Sequence, residues 1–358
     1  MIKLQDLLHA QTQYNASDLI IKFNSPPIMR INGDLRLLDL PPLTKADIET
    51  GIMGLLSKEQ IEEYKKDHEL DLSYEIATGE RFRVNLFKQR GNLGGVFRLI
   101  PKHIPTLDEL GLPEILKEMP LRPRGLIVVT GPSGCGKSTT QAALLNQRNE
   151  NDTCHIVTVE DPIEFIHTNK QSLVTQREVG RDTHSFANAL KFVLRQDPDV
   201  ILVGEMRDLE TISLAITAAE TGHIVITTLH TSDAISTIDR IVDVFPPHQQ
   251  NQIRMQISLN LLCIISQNLL KRTDGKGRIA CYEILNVLPS VRNLIREGKS
   301  HQINSIIQTS QQQGMISFDA CLAKMVQKQL VHREEAEKKA LNHDTFHKEM
   351  EQLAKSTQ

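Results

Sequence analysis

The sequence predicts an α/β protein built from two domains, on three observations. Its 358 residues exceed the size that a single hydrophobic core usually reaches. Strand and helix patterns are mixed through the first hundred residues, which is typical of a small α+β domain with a sheet of its own. Beyond residue 123, short and fully apolar segments alternate with helical ones, as expected of parallel strands that are buried on both faces.

The first domain is predicted to comprise residues 1–100. A helical pattern begins after Thr44, which is a suitable N-cap, and continues to about residue 67. The triplet Asn32, Gly33 and Asp34 predicts a hairpin turn. Extended segments are predicted at residues 18–23, 28–32, 35–38, 70–76, 81–89 and 95–100.

Prolines are frequent between residues 101 and 123, and this composition predicts a semi-rigid interdomain linker. The second domain is predicted to comprise residues 124–288, and a helical region follows it from 289 to 358. The last part of that region, residues 332–358, is predicted as either an amphipathic helix or a frayed tail. The buried strands of the second domain are predicted at residues 126–130, 156–159, 200–203 and 224–228.

A glycine-rich segment follows the first of these buried strands and precedes a helical run. In that setting glycines let the backbone curl, so that successive amide groups and the helix N-terminus point at phosphate oxygens. Lys137 is predicted to reach the β- and γ-phosphates of a nucleotide, and the Ser138 hydroxyl to ligate Mg²⁺. The order of strand, loop, lysine, serine and helix makes a chance glycine-rich turn the weaker interpretation. The predicted nucleotide-binding residues are Gly131, Pro132, Ser133, Gly134, Cys135, Gly136, Lys137, Ser138 and Thr139.

Carboxylates follow two more of the predicted strands. Glu160, Asp161 and Glu164 come after the second strand, and Glu205 follows the third. Open α/β sheets bind ligands beyond the carboxyl ends of their strands. The segment that ends in Glu205 has the form of a Walker B element, except that Gly204 replaces the usual aspartate. We therefore expect Mg²⁺ to be held by Glu205, partly through water, or by a carboxylate of the preceding cluster.

Two histidines flank the fourth predicted strand. His223 precedes the strand, and His230 lies in a polar run at its C-terminal end. A single histidine is more often structural, but the polar setting makes His230 a candidate sensor of the γ-phosphate or of the transition state. His223 is a candidate nucleotide-binding residue whose presence packing would explain equally well.

Composition and charge disfavour several functional classes. The 41 Lys and Arg against 44 Asp and Glu give a net charge of −3, which provides no global attraction to nucleic acid or to an anionic membrane. With no Trp and only four Tyr, the sequence does not indicate the stacked aromatic surface of a RecA-type helicase. No partner nucleic acid is therefore expected.

Neither a membrane helix nor an export signal is visible. No apolar run approaches the roughly 18 residues that a membrane helix needs, and the N-terminus lacks a basic region followed by an apolar one. We therefore expect a cytoplasmic protein. The five cysteines are odd in number and form no CxxC pair, so neither a disulfide framework nor a zinc site is expected.

Several long motifs occur along residues 1 to about 330: SDLII, GVFRLIP, GPSGCGKSTT, HIVTVEDPIEF, QREVGRDTHSF, LRQDPDVILVGEMRDLET, TAAETGHIVITTLHTSDA, IDRIVDVFP and RNLIRE. With these motifs the chain resembles the secretion ATPase superfamily, and within it the ATPases that retract type IV pili in twitching motility. The resemblance implies a PAS-like N-terminal domain joined to a RecA-like P-loop NTPase domain. It also implies an ATP-hydrolysing hexamer on the cytoplasmic side of the pilus machine.

The resemblance implies roles for individual residues. Glu164 matches the general base that activates the attacking water, and Glu205 matches the Walker B residue that organises Mg²⁺. His223 and His230 match the histidine-box pair of the superfamily. Lys137, together with Mg²⁺ and arginines, would then stabilise the charge that develops during attack of water on the γ-phosphate.

Arginines of the N-terminal domain approach ATP in related hexamers. Arg98 and Arg124 are therefore candidate nucleotide contacts, with Arg81 and Arg83 as further candidates. Arginines in strands and linkers are more often surface charges, so these assignments are weaker than the glycine-rich loop. The implied partner is the inner-membrane platform protein of the pilus machine, which would place the chain peripherally at the inner membrane.

Residues 290–297, SVRNLIRE, resemble a motif associated with retraction and depart from it at Ser290 and Val291. Extension and type II secretion relatives generally carry a tetracysteine zinc element, and its absence favours retraction. Three alternatives stay open: an accessory retraction ATPase, a pilus-extension or type II secretion ATPase, and a non-hydrolysing subunit that binds ATP. Intact Lys137, Glu164 and Glu205 argue against the last alternative.

Overall fold

Two units, Met1–His103 and Ile104–Gln358, divide the chain. The computed structural model describes residues 3–31, 33–275 and 277–356. The predicted turn residue Asn32 therefore lies outside the described residues. Its neighbour Gly33 has a φ of +92°, and Ile31 pairs with Asp34 on the next strand. Pairing of Ile31 with Asp34 is typical of a tight hairpin. Glycine suits the positive φ at residue 33, because it has no Cβ atom.

The first unit contains a six-stranded antiparallel sheet with the strand order β3-β2-β1-β6-β5-β4. Its core buries aliphatic and aromatic side chains of the sheet and of the first helix, among them Leu8, Leu19, Phe82 and Phe97. The elements are α1 (Leu4–Gln13), β1 (Asp18–Ile21), β2 (Ile28–Ile31), β3 (Asp34–Leu37), α2 (Lys45–Met53), α3 (Lys58–Asp67), β4 (Glu69–Glu75), β5 (Arg81–Gln89) and β6 (Asn92–Ile100).

The single helical run predicted after Thr44 is two helices. Thr44 caps α2 as predicted, through a capping box with Asp47. The chain then breaks at Gly54, and Ser57 starts α3 through a second capping box with Gln60. Glycine at a helix C-terminus and serine at an N-cap are sufficient reason for the break. Helix α1 was not predicted.

The second unit is built on a seven-stranded sheet with the strand order β13-β12-β7-β11-β10-β8-β9. Its strands are β7 (Gly125–Thr130), β8 (His155–Glu160), β9 (Leu173–Glu178), β10 (Val200–Val203), β11 (Ile224–Leu229), β12 (Leu261–Lys271) and β13 (Arg278–Asn286). All neighbouring strands run parallel except β12 and β13. Every residue of β7, β10 and β11 is buried, which confirms the α/β class predicted from their apolar sequences.

Helices cover this sheet and continue beyond it. They are α4 (Ile115–Glu118), α5 (Lys137–Asn151), α6 (Phe186–Val193), α7 (Leu209–Glu220), α8 (Ala234–Asp243), α9 (Pro247–Asn260), α10 (Pro289–Arg296), α11 (Ile303–Thr309), α12 (Phe318–Gln327), α13 (Arg333–Lys339) and α14 (His343–Ser356). Within the described ranges no helix is both long and apolar enough to cross a membrane. All five cysteines are free thiols, and four of them are buried.

Most of the segment predicted as a linker packs into the second unit. Leu107, Leu112, Leu116 and Met119 are buried in the core that also contains Ile127 of β7. The prolines of this segment therefore shape a packed connection rather than a free one, because apolar side chains between them reach the sheet. The predicted domain limits at residues 100, 123 and 288 stay predictions, while the two units divide after His103.

The C-terminal segment, Arg333–Ser356, is ordered as α13 and α14, which resolves the alternative of a helix or a frayed tail. Helix α14 packs on α12, and its Phe346 is fully buried. The Asp319 carboxylate of α12 accepts hydrogen bonds from the amides of Leu341 (2.9 Å) and Asn342 (3.0 Å). These bonds hold the connection between α13 and α14 in place.

We expect Phe346→Ala to destabilise the second unit by about 3 to 5 kcal/mol, because it leaves a cavity where a buried aromatic ring packs. Phe192→Ala is the matched control, since the Phe192 side chain is 54% exposed, and it should change the free energy of unfolding by less than about 1 kcal/mol. Urea unfolding of the full chain measures both. Equal midpoints for the two variants would contradict the packing of α14.

Candidate functional site

The glycine-rich segment forms a tight loop between β7 and α5, as predicted. Gly131, Gly134 and Gly136 all have positive φ values, of +144°, +75° and +91°. A Cβ atom on Gly131 would lie 2.2 Å from the carbonyl oxygen of Gln267 and 2.7 Å from the sulfur of Cys135. No side chain fits there, so the close approach of loop and β12 requires glycine at this position.

Gln267 braces the same loop through its side chain. Its amide nitrogen donates to the carbonyl oxygen of Cys135 (2.8 Å), and its amide oxygen accepts from the Thr140 hydroxyl (2.8 Å). The residue is only 3% exposed, so both of its polar groups are satisfied inside the protein. Because one contact holds the loop and the other holds α5, the strand β12 sets the shape of the loop from one side.

The Lys137 amino group lies over the loop that precedes it. It donates to the carbonyl oxygens of Gly131 (2.8 Å) and Pro132 (3.2 Å), and the Nδ1 atom of His230 is 3.4 Å away. These partners are neutral groups, whereas phosphate oxygens would give stronger, charge-assisted bonds. Ser138 and Thr139 follow in the first turn of α5 and are partly exposed. The loop therefore presents a cation and a hydroxyl beside a helix N-terminus, where anions bind favourably.

His230 links Lys137 to the acidic residue after β10. Its Nε2 atom is 3.1 Å from a carboxylate oxygen of Glu205, and the other oxygen of Glu205 pairs with Arg207 at 2.8 Å. Burial alone would raise the pKa of Glu205, but the bond from Arg207 and the charges of His230 and Arg207 outweigh it, so the pKa is lowered. Glu205 is therefore held as a carboxylate at this edge of the sheet.

The carboxylates after β8 lie in two different environments. Burial raises the pKa of Glu160 to about 7, against the opposing effect of hydrogen bonds from Thr158 and Gln176. Glu164 is exposed, and its backbone amide lies 3.5 Å from a Glu160 oxygen. The two carboxylates are close enough that the charge of Glu164 also raises the pKa of Glu160. Glu160 and Glu164 thus offer one partly buried acid at the end of β8 and one exposed acid beyond it.

Parallel pairing brings these residues to a common edge. β7, β11, β10 and β8 are neighbouring parallel strands. The loop, His230 and Glu205 follow the carboxyl ends of β7, β11 and β10, and Glu160 is the last residue of β8. This is the edge at which ligands bind in open α/β sheets. In the described part of the chain, no group of three or more His, Cys, Asp or Glu is arranged to hold a metal ion by itself.

Two predicted nucleotide contacts, His223 and Arg124, lie at the opposite edge. His223 precedes β11 and Arg124 precedes β7, and the carbonyl oxygen of His223 bonds to the amide of Gly125. β11 has six residues, so His223 is about 20 Å from the loop edge. Its ring donates to the carbonyl oxygen of Ala218 at 2.8 Å. Neither residue therefore reaches the loop of its own chain, and a role of either toward nucleotide stays a prediction.

Two of the three arginines predicted in the first unit lie beside carboxylates of that unit. Arg98 lies on β6 and donates to Asp18 of β1 at 2.9 Å, with its side chain largely exposed. Arg81 lies 3.8 Å from Glu75 and is mostly buried. Arg83 stands opposite Arg98 on the neighbouring strand β5. The positively charged Arg83 and Arg98 are therefore cross-strand neighbours on β5 and β6. A role of Arg81, Arg83 or Arg98 toward nucleotide stays a prediction.

Sequence reasoning missed Gln267, Arg207 and Gln176. Gln267 contacts the loop across 132 positions of sequence, and nothing in the apolar run around it indicates that contact. Gln176 lies on β9, a strand that was not predicted. Arg207 had a usable signal, because it follows Glu205 by two residues at a strand end already identified as a ligand-binding edge.

Comparison with known proteins shows which family this chain is similar to. Residues 3–338 match the family described as Type II/IV secretion system protein. The type IV pilus retraction ATPase PilT of Pseudomonas aeruginosa is 48% identical over 96% of this chain and 99% of its own. A twitching motility protein of Neisseria gonorrhoeae is 48% identical over 93% of this chain and 89% of its own.

A solved structure extends the comparison to the fold. The crystal structure of the pilus retraction motor PilT with bound ADP superimposes with a TM-score of 0.91 at 42% identity, covering 97% of this chain and all of that one. This similarity supports a mixed α/β fold with an N-terminal domain, a RecA-like ATPase domain and C-terminal helices. The chain belongs to the type II/IV secretion system protein family and is an ATPase of that family.

Proposed function

We propose that this chain is the ATP-hydrolysing motor that powers retraction of type IV pili and so supports twitching motility. The observation that carries the proposal is the phosphate-binding loop with Lys137, placed at one sheet edge with His230, Glu205 and Glu160. The nearly full-length identity of 48% to a retraction ATPase supports the biological role.

Each residue at the edge has a proposed task. Amide groups of the loop and the Lys137 amino group bind the β- and γ-phosphates and stabilise the charge that develops on them. Glu164 accepts the proton of the attacking water. His230, placed between Lys137 and Glu205, senses the γ-phosphate because any movement of either partner changes its hydrogen bonds. Glu205, which follows the neighbouring strand β10, holds the His230 ring in position.

We propose Ser138 and Glu205 as the protein groups that hold Mg²⁺, with Glu205 acting partly through water. Both offer oxygen, the ligand atom that Mg²⁺ prefers, and Mg²⁺ at nucleotide sites usually keeps several waters and phosphate oxygens. A dedicated cluster of protein ligands is therefore not required. When bound, the ion neutralises charge on the phosphates.

The positions of Arg124 and His223 favour an oligomer. Both lie at the edge of the sheet remote from the loop of the same chain, so Arg124 can contact nucleotide only in a neighbouring subunit. We propose that the chain assembles as a homohexamer in which arginines such as Arg98 or Arg124 complete the site of the next subunit. Arginines supplied in this way accelerate other P-loop enzymes by roughly 10³ to 10⁵.

We propose that the hexamer works in the cytoplasm at the base of the pilus and contacts the inner-membrane platform protein there. Helix α10 carries the RNLIRE sequence and buries Val291 and Ile295, which leaves Arg296 exposed. An exposed cation on a helix that is remote in sequence from Lys137 suits a docking or coupling surface better than a catalytic task.

Lys137→Ala is expected to abolish ATP hydrolysis, because it removes charge-assisted phosphate contacts worth on the order of 1.5 to 3 kcal/mol each. Lys191→Ala, which removes an exposed lysine paired with Glu210, is the control and should hydrolyse normally. Phosphate release by the purified full-length chain measures both, with circular dichroism to confirm the fold. Normal turnover in Lys137→Ala would refute the nucleotide assignment.

Glu164→Gln is expected to bind ATP but hydrolyse it at least about 100-fold more slowly, because glutamine keeps the shape and loses the base. Single-turnover hydrolysis and ATP retention test this expectation. A rate within about twofold of normal would transfer the role to Glu160. In that case the wild-type rate should rise as pH increases through about 7, where the Glu160 carboxyl loses its proton.

Arg296→Ala is expected to leave ATP hydrolysis and assembly in place while cells lose twitching. The side chain is exposed, so its removal should alter the free energy of unfolding by no more than about 0.5 kcal/mol. Lys299→Ala, at the exposed lysine just beyond α10, provides the comparison. Normal twitching in cells that carry Arg296→Ala would show that this part of α10 is only solvated surface.

A further inference from the structure

Glu283 is a buried carboxylate of β13 whose side chain reaches the first residue of α8. It is only 5% exposed. Burial raises the pKa of the Glu283 carboxyl to about 7, a hydrogen bond from the Ala234 amide opposes this shift, and the charges of Asp233 and Asp319 add to it. Burying a carboxylate costs free energy unless it is hydrogen-bonded, so the bond to Ala234 is what stabilises Glu283 in this position.

The bond partner of Glu283 is the amide that begins α8. One carboxylate oxygen accepts a hydrogen bond from the backbone N–H of Ala234 at 2.8 Å. The first amides of a helix have no partner within the helix, and Ala234 is shielded from water, so Glu283 supplies the acceptor that solvent cannot. Glu283 therefore fixes the start of α8 relative to the sheet.

Hydrogen bonds connect this point to the residue that follows His230. The Thr231 hydroxyl lies 2.7 Å from the Thr130 hydroxyl at the end of β7 and 2.6 Å from the Thr237 hydroxyl in the first turn of α8. Thr237 in turn donates to the carbonyl oxygen of Asp233 at 2.6 Å. A shift of the first turn of α8 would therefore be transmitted to Thr231 and from there to His230.

The His230 ring depends on such a fixed backbone, because it lies between two charged groups. Its Nδ1 atom is 3.4 Å from the Lys137 amino group, and its Nε2 atom is 3.1 Å from Glu205. A displacement of the chain would change both distances. In enzymes, a misplacement of about 1 Å can lower the rate by about 100-fold.

We propose that Glu283 is a positioning residue for ATP hydrolysis: through its bond to Ala234 it holds residues 230–234 so that His230 stays between Lys137 and Glu205. The inference rests on the proposed role of His230 as a sensor of the γ-phosphate and adds the residue that places it. Glu283 lies 49 positions from Ala234 and outside the sequence motifs from which the site was predicted.

The proposal predicts a loss of rate without a loss of affinity, because the loop is shaped by contacts from β12. Glu283→Met keeps the length of the side chain and removes the acceptor, so it should lower kcat of the full-length chain about 10- to 100-fold. ADP affinity, measured by calorimetry, should stay within about twofold of wild type. Glu283→Gln offers a carbonyl oxygen of the same reach and should keep kcat within about threefold of wild type.

Leu285→Ala is the matched control for lost stability. Leu285 is fully buried on the same face of β13, two residues further along, and has no polar group to bond α8. This variant should lower the urea midpoint but leave kcat within about twofold of wild type. If Glu283→Met does not fold, Glu283→Asp replaces it, because it keeps the charge and withdraws the carboxylate from Ala234; kcat should then fall about tenfold.

A double variant tests whether Glu283 acts through His230. In a His230→Ala background, Glu283→Met should lower kcat by less than about a further twofold, since the ring that it positions is gone. A further loss as large as in the wild-type background would overturn the proposal.

The single variants can overturn it as well. Normal kcat in Glu283→Met, or in Glu283→Asp where that variant replaces it, would contradict the proposal. An equal loss of kcat in Glu283→Gln or Leu285→Ala would do so too, and so would a loss of ADP affinity as large as the loss of kcat. If His230→Ala alone hydrolysed ATP at the wild-type rate, the proposed sensing role of His230 would fall, and the role of Glu283 with it.

Discussion

The contact between Gly131 and Gln267 is the constraint on which the site depends. The two backbones approach so closely that any Cβ on residue 131 would overlap the Gln267 carbonyl oxygen. The Gln267 side chain then holds the loop at Cys135 and the following helix at Thr140. Strand β12 thus acts as a template for the loop, and the position of Lys137 over that loop follows from it.

The parallel sheet distributes the remaining functional groups by strand direction. Residues that follow strands, such as Glu205 and His230, meet at the loop edge, whereas residues that precede strands, such as Arg124 and His223, lie at the other edge. His223 belongs to the same sequence motif as His230, but the length of β11 separates it from the site. The same polarity suits the proposed hexamer, in which the far edge of one subunit would complete the site of its neighbour.

The buried strands and the loop could be predicted because their signals are local. Apolar runs define β7, β10 and β11, and the glycines with Lys137 define the loop that follows β7. Gln267 could not be predicted, since its contacts depend on which strand lies beside β7. The sequence placed His223 at the start of the fourth strand, but the motif alone does not indicate how far that position lies from the loop. The segment around Leu116 was predicted as a linker because it is rich in proline. Prolines indicate local backbone shape, but they do not indicate that the leucines between them pack on the sheet.

The most direct test of this account is the ADP affinity of Gln267→Leu, which keeps the bulk of the side chain and removes both hydrogen bonds to the loop and helix. If β12 sets the shape of the loop, ADP binding should weaken roughly tenfold or more, since buried groups on Cys135 and Thr140 lose their partner. Gln196→Leu, at an exposed position, controls for the substitution itself. An affinity of Gln267→Leu within about twofold of wild type would contradict the account.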